Sequence, residues 1–506
     1  MHPKLINIKL PVTLALCFII VLAAFFAEAQ TLKFQKVYGG YSYDYGNDLV
    51  QTADSGYLLL CTSNSFSNSS DIYLLKVDQQ GNYEWQRTYG GNEIEGACKI
   101  KFTQDGNIAM AGHTSSYLNN SYDFYLIKAN LNGDTLWTKH YGTNEWDFAN
   151  SMDTCADGGF IMAGKTYDTG NAFSDILIVK TDTDGNEQWR KTIGGNKDDV
   201  ANSIISIPDG YLICGTTASN GNGGNDIYVC KLDLTGSILW ENYYGNEFDD
   251  EGTSIYLSED YSIVFSGNRT TPIYPNNFNT YIRKIMYDGS IYWAFPNSTI
   301  GNVNTLTSSV IEGFNKRVTT VGSFDINTPG INDIVIFLWD SISNYVESGT
   351  YGGSFEDYGK SIIKTSDYGY AAIGTTNSFG MGLSNIYFIK TDTLTPSVGT
   401  LSILVNLKET NQLVAAQNLV YPNPFSLSST INIDFPASVV ASNAFVIKLS
   451  DQLGNEVSNQ VAYTVKDNNK GSAITINNRS LSNGMYYYSL SINDKAIAQG
   501  KFTIIK

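Results

Sequence analysis

Apolar and polar residues alternate along most of the chain in a pattern that repeats every 51 to 54 residues. The clearest copy, DILIVKTDTDGNEQWRKTIGG at 175–195, is an apolar run, an Asp-Gly turn and a second run carrying a Trp. Such a pattern predicts a β-hairpin. Each repeat also contains an earlier hairpin, as in KIKFTQDGNIAMAGHTS at 99–115. Two hairpins per repeat predict four strands, the size of one β-propeller blade.

The third predicted strand of each repeat opens on an acidic or amide residue, and this position counts the units. It occurs seven times, at Asp71, Asp123, Asp175, Asp226, Asn279, Asp333 and Asn385. The Trp of the fourth strand recurs at Trp85, Trp137, Trp189, Trp240 and Trp293, and Glu347 takes its place in the sixth unit. The pattern therefore predicts seven blades.

The two ends of the array predict how it closes. The seventh unit stops after Thr391 without a fourth strand, while LKFQKVYGG at 32–40 matches EWQRTYGG at 84–91, with Phe34 in the Trp position. A strand from the N-terminus that completes the last blade leaves no open sheet edge. We therefore expect an all-β, seven-bladed β-propeller over residues 30–395, closed by its N-terminal strand.

The spacing D-x-x-G-x-x-x-W, found at Asp78/Gly81/Trp85 and again at Asp182/Gly185/Trp189, resembles the tryptophan-docking motif of quinoprotein-like propellers. The resemblance implies that each indole packs between adjacent blades and that the glycine makes room for it.

After the propeller, residues 396–417 are predicted as a linker and residues 418–506 as a small Ig-like β-sandwich of short alternating strands. The landmarks of this tail are Tyr421-Pro422-Asn423-Pro424, Gly454 to Val457, Leu481-x-x-Gly484-x-Tyr486 and a final apolar strand ending at Lys506. Their order resembles the type A C-terminal sorting domain of the type IX secretion system. The resemblance implies handling by the type IX machinery and delivery across the outer membrane.

The first 29 residues have the pattern of a signal peptide. Lys4 and Lys9 precede an apolar stretch at 10–26, and Ala27 and Ala29 form a small-residue cleavage site. An uncleaved anchor helix is the alternative. No later segment is long and apolar enough to span a bilayer, so we expect no transmembrane segment in the mature chain.

Charge and reactive residues exclude several classes of function. The formal net charge of −17 argues against nucleic acid or anionic membranes as partners. Five cysteines remain after the predicted cleavage, with no CxxC spacing, which favours small buried apolar residues over disulfides. No nucleophile elbow or transition-metal motif is present, so the sequence predicts neither catalytic residues nor a cofactor.

An acidic residue recurs six positions after the residue that precedes the glycine pair of each repeat. The set is Asp44, Glu95, Asp147, Asp199, Asp250 and Asp357, and Leu306 interrupts it in the sixth unit. We expect these carboxylates to converge on one mouth of the central channel, as a partial ring that could bind calcium or a basic ligand. In the alternative, each carboxylate caps backbone N–H groups of its own turn.

A lysine recurs in the third strand, at Lys76, Lys128, Lys180, Lys231, Lys284 and Lys390. An acid often follows two residues later, as at Asp78 and Asp182, and the pattern predicts ion pairs between blades.

The sequence favours a non-enzymatic propeller, secreted or displayed at the cell surface, that binds an extracellular protein or glycan. The alternatives are a quinoprotein-like or polysaccharide-active enzyme, and a repeat scaffold without a fixed ligand.

Overall fold

The computed structural model describes residues 34–504 of the chain with internal gaps. The gaps are 68, 118–120, 169, 171, 272–273, 295–303, 326–331, 340–344, 393–399, 404–429, 436–444, 452–456, 458–461, 469–470, 478–483 and 493–494. The predicted signal peptide and the Tyr421–Pro424, Gly454 and Lys506 landmarks lie outside the described residues.

Six four-stranded antiparallel sheets follow one another along the chain, each formed by consecutive strands. Blades one to three are β2 Asp44–Gln51, β3 Tyr57–Ser63, β4 Asp71–Val77 and β5 Tyr83–Tyr89; β6 Glu95–Phe102, β7 Ile108–Thr114, β8 Asp123–Ala129 and β9 Thr135–Tyr141; β10 Asp147–Thr154, β11 Phe160–Thr166, β12 Asp175–Thr181 and β13 Glu187–Ile193. Blades four to six are β14 Asp199–Ile207, β15 Gly210–Thr217, β16 Asp226–Leu232 and β17 Ile238–Tyr244; β18 Asp250–Leu257, β19 Ile263–Thr271, β20 Tyr274–Ile285 and β21 Ile291–Ala294; β22 Thr305–Glu312, β23 Val318–Asp325, β24 Asn332–Trp339 and β25 Tyr345–Tyr351. A 3₁₀ turn, Phe314–Lys316, joins β22 to β23.

The seventh blade joins the two ends of the array, as the sequence predicts. Its strands are β26 Asp357–Lys364, β27 Tyr370–Thr376, β28 Asn385–Thr391 and β1 Phe34–Tyr38. β1 pairs antiparallel with β28, and Phe34 lies opposite Lys390 just as Trp85 lies opposite Lys76 in blade one. The seven-bladed, N-terminally closed propeller is thus confirmed.

A fifth strand, β29 Thr400–Ile403, pairs parallel with the outer side of β1. It lies within the 396–417 stretch predicted as a linker. Because β1 lies between β28 and β29, its backbone forms hydrogen bonds with a strand on each side.

The first strand of each blade is the innermost. These strands contact one another in sequence around the ring, from β2 through β6, β10, β14, β18 and β22 to β26, and β26 contacts β2. Side chains join neighbouring blades here: Asp48 accepts a hydrogen bond from the Ile100 amide at 3.0 Å, and Ser151 accepts one from the Ile204 amide at 3.1 Å. The ring of first strands therefore surrounds a central channel.

Four of the docking Trp side chains, Trp85, Trp137, Trp189 and Trp240, each pack against the turn glycine of the following blade. A Cβ built on Gly133 would lie 2.9 Å from the Trp85 ring, and one on Gly185 would lie 2.8 Å from the Trp137 ring. Gly133 has a φ of +80°, so both its backbone conformation and its lack of a side chain are required. The Tyr89 hydroxyl donates a hydrogen bond to the Gly133 carbonyl at 2.7 Å. The predicted packing of the indoles between blades is therefore confirmed for these residues.

The recurring lysines form ion pairs within a blade, which corrects the expectation of pairs between blades. Lys180 lies 2.7 Å from Asp157, in the turn between the first and second strands of its own blade, and donates a further hydrogen bond to the Thr181 carbonyl. The other pairs are Lys76–Asp54, Lys128–Asp105, Lys231–Asp209, Lys284–Asp260 and Lys390–Asp367. The third strand lies beside the second, which brings the ammonium to the end of the first hairpin and away from the next blade.

The five described cysteines are free, and all except the half-buried Cys98 are buried. As the sequence predicts, they pack as small apolar residues within the interblade cores; Cys61 and Cys214 are two examples.

The C-terminal segment contains two three-stranded sheets. One has the order β30-β33-β32 and the other β31-β34-β35. The strands are β30 Thr430–Phe435, β31 Phe445–Asp451, β32 Ala462–Asn468, β33 Gly471–Asn477, β34 Gly484–Ile492 and β35 Lys495–Ile504. Gly484 opens β34, Tyr486 is buried, and the Val457 amide donates to the Leu449 carbonyl at 2.7 Å. Among the described residues, no helix has the length and apolar character needed to cross a membrane.

Candidate binding face

The six recurring acids each open the first strand of a blade and are at most 2% exposed. One carboxylate oxygen accepts a hydrogen bond from the amide four residues earlier. The donors are Gly40 for Asp44, Gly91 for Glu95, Thr143 for Asp147, Gly195 for Asp199, Asn246 for Asp250 and Gly353 for Asp357. The acids thus lie at one face of the propeller, beneath the loops that join consecutive blades. Each accepts a hydrogen bond from a backbone amide of its own loop, as expected if the carboxylates cap their turns.

A second acid faces most of these carboxylates across the first glycine of the loop. A Cβ built on Gly142 would lie 1.8 Å from Asp123 Oδ1 and 2.9 Å from Asp147 Oδ2. Burial, followed by the negative charge of Asp147, raises the pKa of Asp123 to about 6. Burial also raises the pKa of Asp250 to about 6, with a further contribution from Asp226. At mildly acidic pH, one proton bound between the two carboxyl groups of each pair, Asp123 with Asp147 and Asp226 with Asp250, relieves their mutual repulsion.

In the sixth unit, the residue that takes the place of the recurring acid is one position earlier than the repeat spacing predicts. Thr305, and not Leu306, pairs with Phe324 in the register in which Asp147 pairs with Thr166. The residue that faces it, Asn279, is also uncharged, and the Thr305 hydroxyl accepts a hydrogen bond from the Thr280 amide at 2.8 Å. Residues 295–303, which precede this strand, lie outside the described residues.

Several exposed aromatic side chains lie in the loops above these acids. Tyr41 is 74% exposed, Phe355 62% and Trp146 52%, and each belongs to a loop between consecutive blades. The loops between second and third strands reach the same face, since strand direction alternates within each blade. Exposed aromatic groups at one face of a rigid scaffold indicate an interaction surface.

The densest group of aromatic rings lies where blade two meets blade three. We call it the Trp146 cluster, and it contains His113, Tyr122, Trp146, Phe148 and Tyr167. The Trp146 ring lies 5.8 Å from Tyr122 and 6.4 Å from Tyr167, both edge to face. The Tyr167 amide donates a hydrogen bond to the Trp146 carbonyl at 3.0 Å, so the two loops are also joined through their backbones.

A lysine supports the inner side of this cluster. The Lys165 ammonium lies 5.5 Å from the centre of the Phe148 ring, 5.2 Å from that of Tyr167, and donates to the Tyr167 hydroxyl at 3.2 Å. Burial lowers the pKa of His113 to about 4, so this imidazole is neutral at pH 7. Cation–π contacts of this kind order the rings before any ligand arrives.

An open cavity of about 600 Å³ lies on the outer side of the cluster. Its lining consists of Glu145, Trp146, Tyr167, Asp168 and Gly170, and both acids are exposed. Two aromatic surfaces flanked by carboxylates can stack on an apolar ligand face and accept hydrogen bonds from hydroxyl or ammonium groups at its edge.

Trp146 is not among the residues predicted from the sequence, although the sequence carries a signal for it. Trp146 immediately precedes Asp147 and is out of register with the docking Trp residues, so the packing of blades does not require it. The convergence of Tyr122, Phe148 and Tyr167 on it could not be read from the sequence, because they come from different loops and strands.

Within the described part of the chain, no three His, Cys, Asp or Glu side chains group as ligands for a metal ion. Whether the six acids hold a cation or a basic ligand stays a prediction.

The chain is thus a seven-bladed β-propeller with exposed aromatic side chains in the loops above its recurring acids. Residues 419–506 match the family model of the secretion system C-terminal sorting domain. This match confirms the type IX sorting tail predicted from the landmarks, and it indicates a propeller exported to the cell surface or beyond. No curated protein matches the chain at a significant level.

The chain is similar to several solved structures at low identity. The Neurospora crassa Pan2 WD40 domain is 12% identical, covering 71% of this chain and 91% of its own, with a TM-score of 0.40. The β-propeller domain of the Trilobed protease from Pyrococcus furiosus is 12% identical, covering 72% and 100%, with a TM-score of 0.40. Polysaccharide lyase Uly1 is 9% identical, covering 72% and 98%, with a TM-score of 0.42. At these values the likeness carries no argument about function.

Proposed function

We propose that the protein is an exported glycan-binding module whose binding site is the cavity at the Trp146 cluster. The observation that supports this most is the half-exposed Trp146 ring, held in position by two perpendicular aromatic neighbours and bordered by Glu145 and Asp168. An indole held open to water contributes little to folding, so its ordered support favours a role in binding.

The chemistry of the cavity fits a sugar. The C–H face of a pyranose ring stacks on an indole, while its hydroxyl groups donate to carboxylates such as those of Glu145 and Asp168. The sorting tail supports the same proposal, because it directs the propeller to the compartment where extracellular glycans are found.

The test is a glycan array probed with the purified chain from Gln30 onward, followed by titration of the best ligand. Trp146→Ala should weaken binding at least about tenfold, which corresponds to about 1.4 kcal/mol. Tyr83→Ala is the matched control, since Tyr83 is 45% exposed but lies on an outermost strand, away from the cluster. Equal affinities of the two variants, or no glycan bound, would reject the proposal. Release of shortened glycan during the titration would favour the polysaccharide-active enzyme instead.

A further inference from the structure

All seven innermost strands carry a β-bulge at the same position. The pairing between the first and second strands skips one residue in each blade. The skipped residues are Asn47, Cys98, Asn150, Asn202, Thr253, Ser308 and Lys360. We call this set the bulge ring. A bulged residue leaves the ladder, and bulges commonly re-aim side chains beside functional sites.

The bulge ring lines the central channel, because it belongs to the strands that contact one another around the ring. Six of its members are uncharged, and Lys360 alone carries a charge. The Lys360 side chain is exposed, whereas the other six are half-buried. One ammonium group therefore projects into a channel lined at that level by amide, hydroxyl and thiol groups.

The other charges of blades one to three near this level are paired. The Lys99 ammonium lies 3.3 Å from Asp48, and Lys101 lies 3.0 Å from Asp153. Asp48 is already engaged further, since it accepts hydrogen bonds from the Ile100 amide and, at 2.6 Å, from the Ser361 hydroxyl. Among the described residues, no carboxylate lies within ion-pair distance of Lys360.

An unpaired ammonium inside the ring is unusual for this chain. Acidic residues outnumber basic ones by 49 to 32, and the recurring third-strand lysines each have an aspartate partner. The Lys360 side chain is accessible to solvent, but the surrounding strands of the ring partly desolvate its ammonium and so lower its pKa; the positive charge of Lys99 adds to this effect, while Cys98 and Asp48 oppose it. An anion close to both lysines would remove this penalty.

We infer that the central channel holds a small anion of the carboxylate, phosphate or sulfate type, bound by Lys360 beside the Lys99–Asp48 ion pair. The neighbours of Lys360 in the bulge ring suit such a ligand. Ser308 precedes it and Asn47 follows it around the ring, and the Asn47 Oδ1 already accepts a hydrogen bond from the Thr62 hydroxyl at 3.1 Å. The NH₂ group of Asn47 and the hydroxyl of Ser308 are therefore the donors on either side of the ammonium. This site is separate from the Trp146 cluster and does not depend on the glycan proposal.

The experiment measures thermal unfolding of the full chain in sodium phosphate, sulfate or acetate against sodium chloride at equal ionic strength. A bound anion stabilises the folded state by mass action, so at least one of the three should raise the Tm with a saturating dose response. Lys360→Gln should remove the saturating part of the response. Lys364→Gln, at the exposed end of the same strand, should retain it. Identical responses of the two variants, or no response above chloride in the unaltered chain, would overturn the inference.

A second measurement does not depend on how the variants fold. Lysines of the unaltered chain are labelled by reductive methylation, and the rate at each position is followed by mass spectrometry. The anion that raises the Tm should slow labelling of Lys360 severalfold and leave Lys364 unchanged. Equal labelling of Lys360 with and without that anion would contradict the site, whatever the variants do.

Discussion

Replacing Gly133 by alanine tests whether the docking of Trp side chains holds adjacent blades together. An added Cβ would lie 2.7 Å from Arg87 Cγ and 2.9 Å from the Trp85 ring, across the boundary between blades one and two. The φ of +80° adds a second cost, because an L-residue is strained in this region. A single substitution therefore combines a local and a tertiary effect, and a control has to separate them.

Gly106 provides that control within the same blade. Its φ is +78°, it forms the same type of turn, with its amide donating to a carbonyl three residues earlier at 3.0 Å, and a Cβ there would meet nothing within 4 Å. Gly106→Ala should cost about 1 kcal/mol, the backbone term alone. Gly133→Ala should cost that amount plus about 1–3 kcal/mol for overpacking.

Equilibrium unfolding in urea measures both free energies, and the m-value should stay constant. Combining Gly133→Ala with Trp85→Ala should cost less than the sum of the single changes, because the smaller side chain makes room for the new methyl group. Equal losses for Gly106→Ala and Gly133→Ala would refute the docking argument.

Three further outcomes are expected. Burial raises the pKa of Asp123 and Asp250 to about 6, so their contribution to stability is present below pH 4 and is lost as pH rises from about 4 to 6. Asp123→Asn should flatten this part of a curve of Tm against pH and should stabilise the chain at pH 7.5 by up to roughly 3 kcal/mol. A loss of stability in this variant at pH 7.5 would contradict the prediction. Millimolar calcium at matched ionic strength should leave the Tm unchanged, since the six acids already accept hydrogen bonds from their own loops. A rise in Tm that corresponds to a stabilisation of up to about 2.7 kcal/mol at a hundredfold excess of calcium over its Kd, and that Asp147→Asn with Asp199→Asn abolishes, would restore the acidic ring as a cation site. Deleting residues 419–506 should leave a folded propeller in the periplasm of a type IX host, as cell fractionation would show, whereas surface display of the shortened chain would count against the sorting role.

Sequence alone determined the parts of this protein that local patterns repeat. Blade number and closure by the strand containing Phe34 followed from periodicity, and the packing of the indoles between blades was implied by the resemblance of their spacing to a tryptophan-docking motif. Each depends on spacings that every blade needs in order to bury its own faces, so the same signal occurs several times. The sorting tail was readable for a related reason, since its landmarks keep a fixed order along the chain.

Only the tertiary structure decided which groups from different blades meet. The burial of Asp147 and the acid that faces it depend on how a loop folds over a glycine, and the partner of Lys180 depends on which strand lies beside it. The bulge ring with Lys360 and the cluster around Trp146 arise from seven strands arranged around one axis. Residues about 50 to 300 positions apart become neighbours there, and hydrophobic periodicity records the burial of a strand but not the identity of its neighbours across the ring.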